Sequence, residues 1–253
     1  MVNNKISVFI IVYNEEKKIE RCLKSVSWAD EIIIVDSYSR DKTVEICKRY
    51  TGKIYQRPFT DFAEMKNYAV SQASGEWLLG VDADEEITEA LREKIKLIIN
   101  KDSQDISGFY IKRKSYIFGK WFRFCGTQDD FQLRLFKKAT AHYFQPVHEK
   151  VALTGKKAYI REYLLHYTYK DVTEYIQRLN KYTSMEADMV GKPERLSLMF
   201  ALLCFMLKPF CKFVYLYLYK QGFRDGYQGF LFSWLSGFYV FLKYAKSVER
   251  KLK

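Results

Sequence analysis

Residues 6–15 read ISVFIIVYNE, a continuous run of apolar and mostly β-branched residues that turns polar at Asn14. Such a run is typical of a strand that is buried on both faces. The apolar residues that follow at helical spacing are Ile19, Cys22, Leu23 and Val26. This order predicts a buried strand that leads directly into an amphipathic helix.

The alternation of strand and helix continues through the first hundred residues. The further predicted strands are 32–35, 53–56 and 77–81, and the predicted helices are 43–50, 62–73 and a segment that begins after Thr88. Such alternation implies a parallel sheet with helices on both faces. Strands are also predicted over 108–114, 131–136 and 159–167, with loops between them. The predicted fold class is therefore α/β, with a mixed or antiparallel edge.

Composition limits the classes of protein to which the chain can belong. Of its 253 residues 48% are apolar and 28% are charged, which excludes a disordered chain and argues against a polytopic membrane protein. The formal net charge of +12 indicates an anionic partner, namely phosphate, nucleic acid or acidic lipid. Five scattered cysteines without a CxxC pair favour a reducing compartment. Because the first residues do not read as a signal peptide, we expect a cytoplasmic location.

Polar residues follow three of the predicted strands at the point where each strand ends. These segments are Tyr13-Asn14-Glu15, Asp36-Ser37-Tyr38-Ser39 and Asp82-Ala83-Asp84-Glu85. Ligands of open α/β sheets bind beyond the carboxyl ends of strands, so we expect these residues around one crevice. Two carboxylates one residue apart can hold Mg²⁺ or Mn²⁺ together with a substrate diphosphate. For the Asp82–Asp84 pair alone, a solvated acidic turn is the alternative.

Several motifs occur in a characteristic order along the chain. They are Val12-Tyr13-Asn14-Glu15-Glu16, Ile34-Val35-Asp36-Ser37-Tyr38-Ser39, Lys66-Asn67 and Ser74-Gly75-Glu76-Trp77 with Asp82-Ala83-Asp84. Over about residues 5–165, this series resembles the family 2 glycosyltransferases, which have a GT-A fold. Asp130-Phe-Gln-Leu-Arg134, Val147-His148-Glu149 and Gly222-Phe-x-Asp225-Gly226 look like the branch that contains the lipopolysaccharide core β-glucosyltransferases of the WaaE/LgtF type.

The resemblance implies donor-binding roles for the residues that match its motifs. The implied nucleotide contacts are Tyr13, Asn14 and Glu15, with Asp36 at the base, which is commonly uracil. Lys66 stands where an arginine commonly approaches the donor. Asp82 lies at the ribose and the metal, and Asp84 is the better direct ligand of Mn²⁺ or Mg²⁺.

The resemblance also implies a catalytic base, Asp130, directly before the Phe-Gln-Leu-Arg run. Asp129 is the alternative, because neighbours on an extended segment point to opposite sides and only one can face the crevice. A carboxylate can take the proton of a sugar hydroxyl, while a metal with Lys or Arg stabilises the leaving diphosphate. This arrangement suits in-line displacement with inversion. A retaining double displacement would need a second carboxylate as nucleophile and stays open.

Four further residues carry weaker predictions. His148 and Glu149 are candidates for the acceptor side, with a structural hydrogen-bonded pair as an equal alternative. His166 ends an apolar strand, and a core histidine is slightly favoured over a role in completing the metal site. Arg134 lies in an apolar strand, where it could pair with Asp130 or Glu149, reach a phosphate, or line the acceptor side.

The carboxyl-terminal part differs from the rest in charge and periodicity. We place a boundary near 165, which divides a catalytic domain, 1–165, from a helical region, 166–253, with 14 basic and 7 acidic residues. Its apolar stretches, 196–207 and 226–242, are shorter than the roughly 20 residues of a spanning helix. Apolar faces flanked by lysines suit helices that lie in a membrane interface. A helical appendage, a dimer interface or a spanning hairpin are the alternatives.

The sequence thus predicts a metal-dependent, inverting glycosyltransferase at the inner face of the cell membrane. The predicted donor is a UDP-hexose, with UDP-glucose as the leading candidate. The predicted acceptor is a lipid-linked saccharide such as a lipopolysaccharide or lipooligosaccharide inner core. A nucleotidyltransferase is the first alternative, which the absence of a Gly-rich phosphate loop after strand one disfavours. The second is a non-enzymatic basic module that binds membrane or nucleic acid, which does not explain carboxylates gathered at strand ends. We expect no nucleic-acid partner, and the oligomeric state stays open.

Overall fold

The structure is a computed structural model that describes residues 5–101, 105–144, 150–187, 199 and 202–252, without the side chains of 251 and 252. The chain divides into two compact units. The first unit comprises Met1–Arg113 and Phe131–His166, and the second unit comprises Lys114–Asp130 and Tyr167–Lys253. The sequence pattern indicates a boundary near 165, but it does not predict that residues 114–130 group with the second unit.

The elements alternate as the hydrophobic pattern predicts. The strands are β1 (Ile6–Val12), β2 (Glu31–Asp36), β3 (Ile54–Gln56), β4 (Trp77–Gly80), β5 (Glu85–Ile87), β6 (Ile106–Ile117), β7 (Lys120–Trp121), β8 (Phe131–Lys137), β9 (Ala141–Phe144), β10 (Lys150–Leu153) and β11 (Lys156–Tyr169). The α-helices are α1 (Ile19–Val26), α2 (Thr43–Lys48), α3 (Phe62–Gln72), α4 (Glu89–Asn100), α5 (Val172–Ala187), α6 (Lys208–Val214) and α7 (Gly226–Leu252). Short π-helical turns, Leu202–Leu207 and Tyr215–Tyr219, flank α6, and 3-10 turns cover Lys138–Thr140 and Gly222–Asp225. The predicted α/β class is confirmed.

The large sheet has the strand order β3-β2-β1-β4-β8-β6-β11-β5, with β7 beside β6. The first four strands in this order pair in parallel, because a helix connects each to the next along the chain. From β8 onward the resolved pairings are antiparallel. The parallel register places Val12 opposite Asp36, so β1 and β2 end side by side. Antiparallel β8 pairs with β4, and this pairing brings Arg134 close to the end of β4.

Helices cover both faces of the sheet in the first unit, because successive side chains of a strand point to opposite faces. On one face, Val8 and Ile10 of β1 pack in one buried cluster with Leu23 of α1 and Leu91 of α4. On the other face, Phe9 of the same strand packs in a second cluster. The buried members of that cluster also come from β2, α3 and the small β9–β10 sheet. These two packed clusters fix the positions of the strand ends and of the loops that follow them.

The second unit has its own aromatic core. Tyr175 and Leu179 of α5 pack against Leu235 of α7, and the ring centroids of Tyr175 and Phe232 lie 6.0 Å apart. A neighbouring cluster contains Phe122, whose ring makes an edge contact with Phe232 at 5.6 Å. The second unit therefore buries its own apolar surface around α7.

The start of α7 packs closely against the turn that precedes it. A Cβ on Gly229 would lie 1.9 Å from the backbone oxygen of Gly222. Real Cβ contacts do not approach this distance, and the opposing atom belongs to the backbone, so it cannot rotate away. Between these two glycines, Gly226 has a φ of +71°, a conformation that favours glycine. The approach of α7 to the turn thus requires glycine at 229.

Gly229→Ala tests this close approach. In a helix without the clash, alanine would stabilise the protein by about 1 kcal/mol relative to glycine. Here we expect the clash to dominate and to lower the free energy of unfolding by about 1–3 kcal/mol. Gly52→Ala is the matched control, because a Cβ at Gly52 meets nothing within 4 Å. Chemical denaturation measures both, and an unchanged midpoint for Gly229→Ala would contradict the packing.

Candidate functional site

The loops after β1 and β2 are tied to each other by hydrogen bonds. The backbone N–H of Asn14 donates to Ser39 Oγ at 2.9 Å, and the N–H of Arg40 donates to Asn14 Oδ1 at 2.8 Å. The N–H of Glu15 donates to Thr43 Oγ1 at 2.7 Å. The predicted nucleotide contacts Asn14 and Glu15 therefore lie in a braced loop pair. Tyr13, at the start of the same loop, leaves about half of its side chain exposed.

Asp36, at the end of β2, is fully buried and accepts several hydrogen bonds. Its Oδ1 accepts from Ser39 Oγ at 2.5 Å, and its Oδ2 accepts from Gln56 Nε2 at 2.9 Å. The backbone N–H of Ser39 lies 3.1 and 3.2 Å from the two oxygens. Within the described ranges, all of these donors are neutral groups. The carboxylate of Asp36 thus lies where β1, β2 and β3 end, and it is held there by neutral donors.

The loop after β4 holds the Asp82-Ala83-Asp84 motif between buried cations. Lys66 of α3 is 4% exposed, and its Nζ lies 3.1 Å from Asp82 Oδ1. Arg134 of β8 is 6% exposed, and its Nη2 lies 2.5 Å from Asp82 Oδ2 and 2.5 Å from Glu85 Oε1. Each carboxylate oxygen of Asp82 therefore contacts one cationic side chain.

These charges fix the ionisation of the pair. Burial would raise the pKa of Asp82, but the charges of Arg134 and Lys66 outweigh it and hold that pKa well below its ordinary value. Burial would likewise lower the pKa of Arg134, yet Asp82 and Glu85 raise it well above its usual range. The pair is therefore ionised at neutral pH. Its contribution to stability is lost only as the pH falls through the depressed pKa of Asp82.

Glu85 completes the turn and is fully buried. Its Oε2 accepts the backbone N–H of Asp82 at 2.9 Å, and its own N–H donates to the carbonyl of Asp82 at 2.9 Å. Arg113 Nη1 lies 3.6 Å from Glu85 Oε1. This reciprocal pair of hydrogen bonds sets the conformation of the acidic turn, and the arginines balance its charge.

Asp84 lies beside His166. The antiparallel pairing of β5 with β11 places His166 opposite Glu85, and His166 Nε2 is 3.6 Å from Asp84 Oδ1. A carboxylate and an imidazole are both ligands of divalent transition metals, so this pair fits Mn²⁺. The described ranges contain no cluster of three or more His, Cys, Asp or Glu that could hold a metal ion. A cation at this pair would thus need further oxygen ligands from a bound substrate.

The thiol nearest to the acidic turn is not a candidate ligand. Cys22 Sγ donates to the carbonyl of Asp82 at 3.5 Å. Burial, followed by the charges of Glu85, Asp84 and Asp82, raises the pKa of Cys22 well above its usual value. Because metals bind the thiolate, this protonated sulfur serves packing instead.

The structure brings together five of the predicted residues in the first unit. These are Lys66, Asp82, Asp84, Arg134 and His166. Arg134 pairs with Asp82 and Glu85, whereas the sequence pattern proposes Asp130 or Glu149 as its carboxylate partner. His166, for which a core position is slightly favoured from sequence, stands next to Asp84.

The remaining candidates lie elsewhere. Asp129, which is exposed, and Asp130, which is half-buried, fall in the second unit, directly before β8. The predicted acceptor-side residues His148 and Glu149 lie outside the described residues. Their roles stay predictions.

Sequence reasoning placed Glu85 among the polar residues that end the fourth strand but gave it no role, and it did not include Arg113 or Gln56 in this site. One signal was available: Arg134 interrupts the apolar strand Phe131–Lys137, and a buried arginine requires carboxylate partners. That signal indicates a buried ion pair, but it does not identify Glu85 as the partner of Arg134. Gln56 carries no signal, because a glutamine at the end of a short strand is ordinary.

Comparisons with known proteins identify the family of this chain. Residues 7–167, more than half of the chain, match the family model for glycosyl transferase family 2. LpsC of Rhizobium meliloti (strain 1021), a lipopolysaccharide core biosynthesis glycosyltransferase, is 30% identical over 97% of this chain and 92% of its own length. An uncharacterized glycosyltransferase of Rickettsia typhi is 32% identical over 98% of this chain and 88% of its own length.

A solved structure shares the fold. The crystal structure of S. aureus TarS 1–349 in complex with UDP-GlcNAc superposes with a TM-score of 0.50 at 17% identity. The match covers 92% of this chain and 79% of the TarS chain. This chain belongs to glycosyl transferase family 2 and is a glycosyltransferase with a GT-A-like fold.

Proposed function

We propose that the protein transfers a hexose from a UDP-sugar to a lipid-linked saccharide, with a divalent cation at Asp84 and His166. The observation that carries this proposal is the acidic turn after β4. Lys66 and Arg134 contact Asp82, while Asp84 faces an imidazole at 3.6 Å. A bound Mn²⁺ or Mg²⁺ would stabilise the charge that develops on the leaving diphosphate.

The two aspartates have separate tasks in this proposal. Both oxygens of Asp82 contact cations, so Asp82 orients the turn and accepts a hydrogen bond from the ribose, and takes at most a secondary part in metal binding. Asp84 Oδ1 lies 3.6 Å from His166 Nε2, so a carboxylate and an imidazole, both ligands of divalent transition metals, stand side by side. Asp84 and His166 therefore hold the cation, and the diphosphate supplies its remaining ligands. Lys66 adds positive charge on the donor side.

The uridine part of the donor lies at the ends of β1 and β2. Asp36 is buried among neutral donors, and its carboxylate suits a hydrogen bond from the imide N–H of a uracil. The half-exposed ring of Tyr13 flanks the base, and Asn14 and Glu15 border it through their braced loop. Asp36 then contributes to the recognition of the base through this one acceptor.

Asp130 takes the proton of the acceptor hydroxyl as the bond to the anomeric carbon forms, and the bond to the diphosphate breaks on the opposite side. This single displacement inverts the anomeric carbon. A retaining reaction would need a carboxylate nucleophile, and Asp82 and Glu85 are unsuited to that task because both pair with Arg134. We assign the base to Asp130 ahead of Asp129.

The acceptor assignment rests on a relative whose pathway is known. LpsC, which aligns over nearly the whole chain, acts in lipopolysaccharide core biosynthesis. We therefore propose a lipopolysaccharide or lipooligosaccharide inner core as the acceptor. UDP-glucose is proposed as the donor because the Asp130-Phe-Gln-Leu-Arg134 and Val147-His148-Glu149 motifs resemble those of core β-glucosyltransferases.

The surface of the second unit supports docking at a membrane. Residues Leu202–Tyr219 form an 18-residue helical segment of mean hydropathy 1.4 that is 11% buried. Met206, Phe210 and Tyr219 are each more than 60% exposed, and Trp234 of α7 is 58% exposed. The segment is long and apolar enough to cross a membrane, but Lys208 and Lys212 lie within it. We propose that it lies in the interface of the inner leaflet, with these lysines at the headgroups.

The donor assignment is tested by titration calorimetry with UDP, GDP and ADP, each with Mn²⁺ and with EDTA. We expect binding of UDP alone, and only with Mn²⁺. Asp84→Asn removes the charged ligand and is expected to abolish this binding. Glu86→Gln, two residues along, is the matched control and should bind as wild type. Normal Mn²⁺-dependent affinity of Asp84→Asn would exclude the metal assignment, and failure of the folded wild type to bind any nucleotide would reject the donor proposal.

The assignment of the base is tested by comparing Asp130→Asn with Asp129→Asn. An amide cannot accept the proton, so Asp130→Asn is expected to keep its affinity for UDP and to lose transfer by a factor of about 10² or more. Asp129→Asn should retain most of its turnover. Transfer from UDP-glucose to a lipopolysaccharide core is the readout, and the reverse order of effects would move the base to Asp129.

Membrane docking is tested by sedimentation with vesicles that contain phosphatidylglycerol. A triple variant, Met206→Ser, Phe210→Ser and Tyr219→Ser, changes exposed side chains and should leave the fold intact. We expect the triple variant to sediment several-fold less than wild type, because each substitution removes apolar area that would enter the interface. Leu97→Ser, at an exposed position of the first unit, is the control. Equal sedimentation of the triple variant and wild type would count against docking.

A further inference from the structure

The second unit contains a cavity that the proposed donor site does not use. Its volume is about 480 Å³, and it is lined by Lys120, Trp121, Arg123, Phe124, Arg224 and Asp225. Half of the lining residues are cationic, and two are aromatic. Four of these residues come from β7 and the loop after it, and Arg224 and Asp225 belong to the Gly-Phe-x-Asp-Gly segment before α7. The motif therefore builds a wall of this cavity.

Asp225 holds the two walls of the cavity together. It is 2% exposed, and its Oδ1 and Oδ2 accept the backbone N–H groups of Arg123 at 3.1 Å and Phe124 at 2.9 Å. Its carbonyl accepts a hydrogen bond from Lys120 Nζ at 2.6 Å. The carboxylate of Asp225 thus binds amides, and no cationic side chain of the cavity is neutralised by an ion pair with it.

The arginines of the cavity are oriented by aromatic rings. The guanidinium of Arg123 lies 4.3 Å from the ring centroid of Trp121, and that of Arg224 lies 4.2 Å from the centroid of Phe124. Stacking fixes a guanidinium plane but leaves its N–H edges free to donate. Arg224 uses one of these donors on Gln221 Oε1, at 2.9 Å.

The cations of the cavity have no carboxylate partners. In the part of the chain that the structure describes, Lys120, Arg123 and Arg224 form no ion pair. Arg134 of the first unit, which is buried, pairs by contrast with Asp82 and Glu85. Oriented cations without counter-charges, gathered around a concavity, favour the binding of an anion.

We propose that this cavity binds an acidic group, a phosphate or a carboxylate, that is carried by a saccharide. The forked donors of Arg123 and Arg224 suit the oxygens of such a group. The volume falls in the range of small-molecule sites, which suits a sugar unit with its acidic group, and the rings offer apolar edges to the sugar. Identification of this saccharide as part of the acceptor rests on the proposed function.

The test uses the full-length protein in EDTA, so that metal-dependent binding of a donor does not contribute. Glucose 6-phosphate, glucuronate and glucose are titrated by calorimetry. We expect both charged sugars to bind at least about tenfold more tightly than glucose, because charge-assisted hydrogen bonds to the arginines form with them alone. Inorganic phosphate is a further probe, and we expect it to bind more weakly than glucose 6-phosphate.

Variants assign this binding to the cavity. The double variant Arg123→Gln with Arg224→Gln removes both guanidinium charges at exposed positions. We expect it to lower the affinity for glucose 6-phosphate by about tenfold or more. Arg178→Gln is the matched control, since Arg178 of α5 also lies over an aromatic ring, Tyr169 at 5.8 Å, but pairs with Glu174. Equal affinity in the double variant and wild type, or equal binding of glucose and the charged sugars, would overturn the proposal.

A lipid headgroup offers the same phosphate chemistry, so vesicles of phosphatidylglycerol and of phosphatidylcholine form a separate arm. One outcome is that the wild type binds phosphatidylglycerol vesicles but neither charged sugar, and that the double variant no longer binds these vesicles. The cavity then binds a lipid headgroup, and the saccharide proposal is wrong. Titration of UDP with Mn²⁺ on the same samples keeps the two proposals apart. Failure of the wild type to bind UDP would reject the donor site. The sugar titrations test the proposed binding of an acidic saccharide in the cavity.

Discussion

The contact of Arg134 with Asp82 and Glu85 is the interaction on which the rest of the site depends. Three carboxylates within four residues repel one another, and burying them without counter-charges would force them to take up protons. Arg134 removes that problem for two of the three, and Lys66 and Arg113 complete the balance. The Arg134–Glu85 pair is buried on both sides, and removing one partner from such a pair typically costs about 3–5 kcal/mol, so the acidic turn and its cations form one unit.

The change of strand direction beside β4 sets the position of this arginine. The parallel strands end their pairing at β4, and antiparallel β8 pairs with it, with Leu79 opposite Leu135. This register brings Arg134 from β8 to the end of β4, where the acidic turn starts. A parallel strand in that place would need its own crossover helix. The antiparallel half of the sheet is thus how the fold delivers a cation to the acidic turn, and Asp84 is left next to His166.

Local patterns predict most of the first unit. The apolar run of β1 and the helical spacing after it are properties of neighbouring residues, as is the capping of α4 by Thr88, whose Oγ1 accepts the N–H of Leu91. The position of Asp82 and Asp84 at a strand end follows from the same patterns. The partners of Arg134 and the grouping of 114–130 with the second unit depend on contacts between distant residues. Composition and spacing contain no information about those contacts, and the alternatives for Arg134 could therefore not be resolved from sequence.

The two units use their charged residues differently, and this gives the basic excess of the chain a location. At the strand ends of the first unit, three cations, Lys66, Arg113 and Arg134, lie against two carboxylates, Asp82 and Glu85, and Asp36 and Asp84 are two further carboxylates there. In the second unit, Lys120, Arg123 and Arg224 surround a cavity whose one carboxylate binds backbone amides. Residues 166–253 alone carry 14 basic against 7 acidic side chains. A cation at Asp84 would offset the charge of the nucleotide's diphosphate. Binding of the nucleotide therefore does not account for the net charge of +12. This net charge points to a second anion, and a saccharide with an acidic group is a partner whose charge would match it.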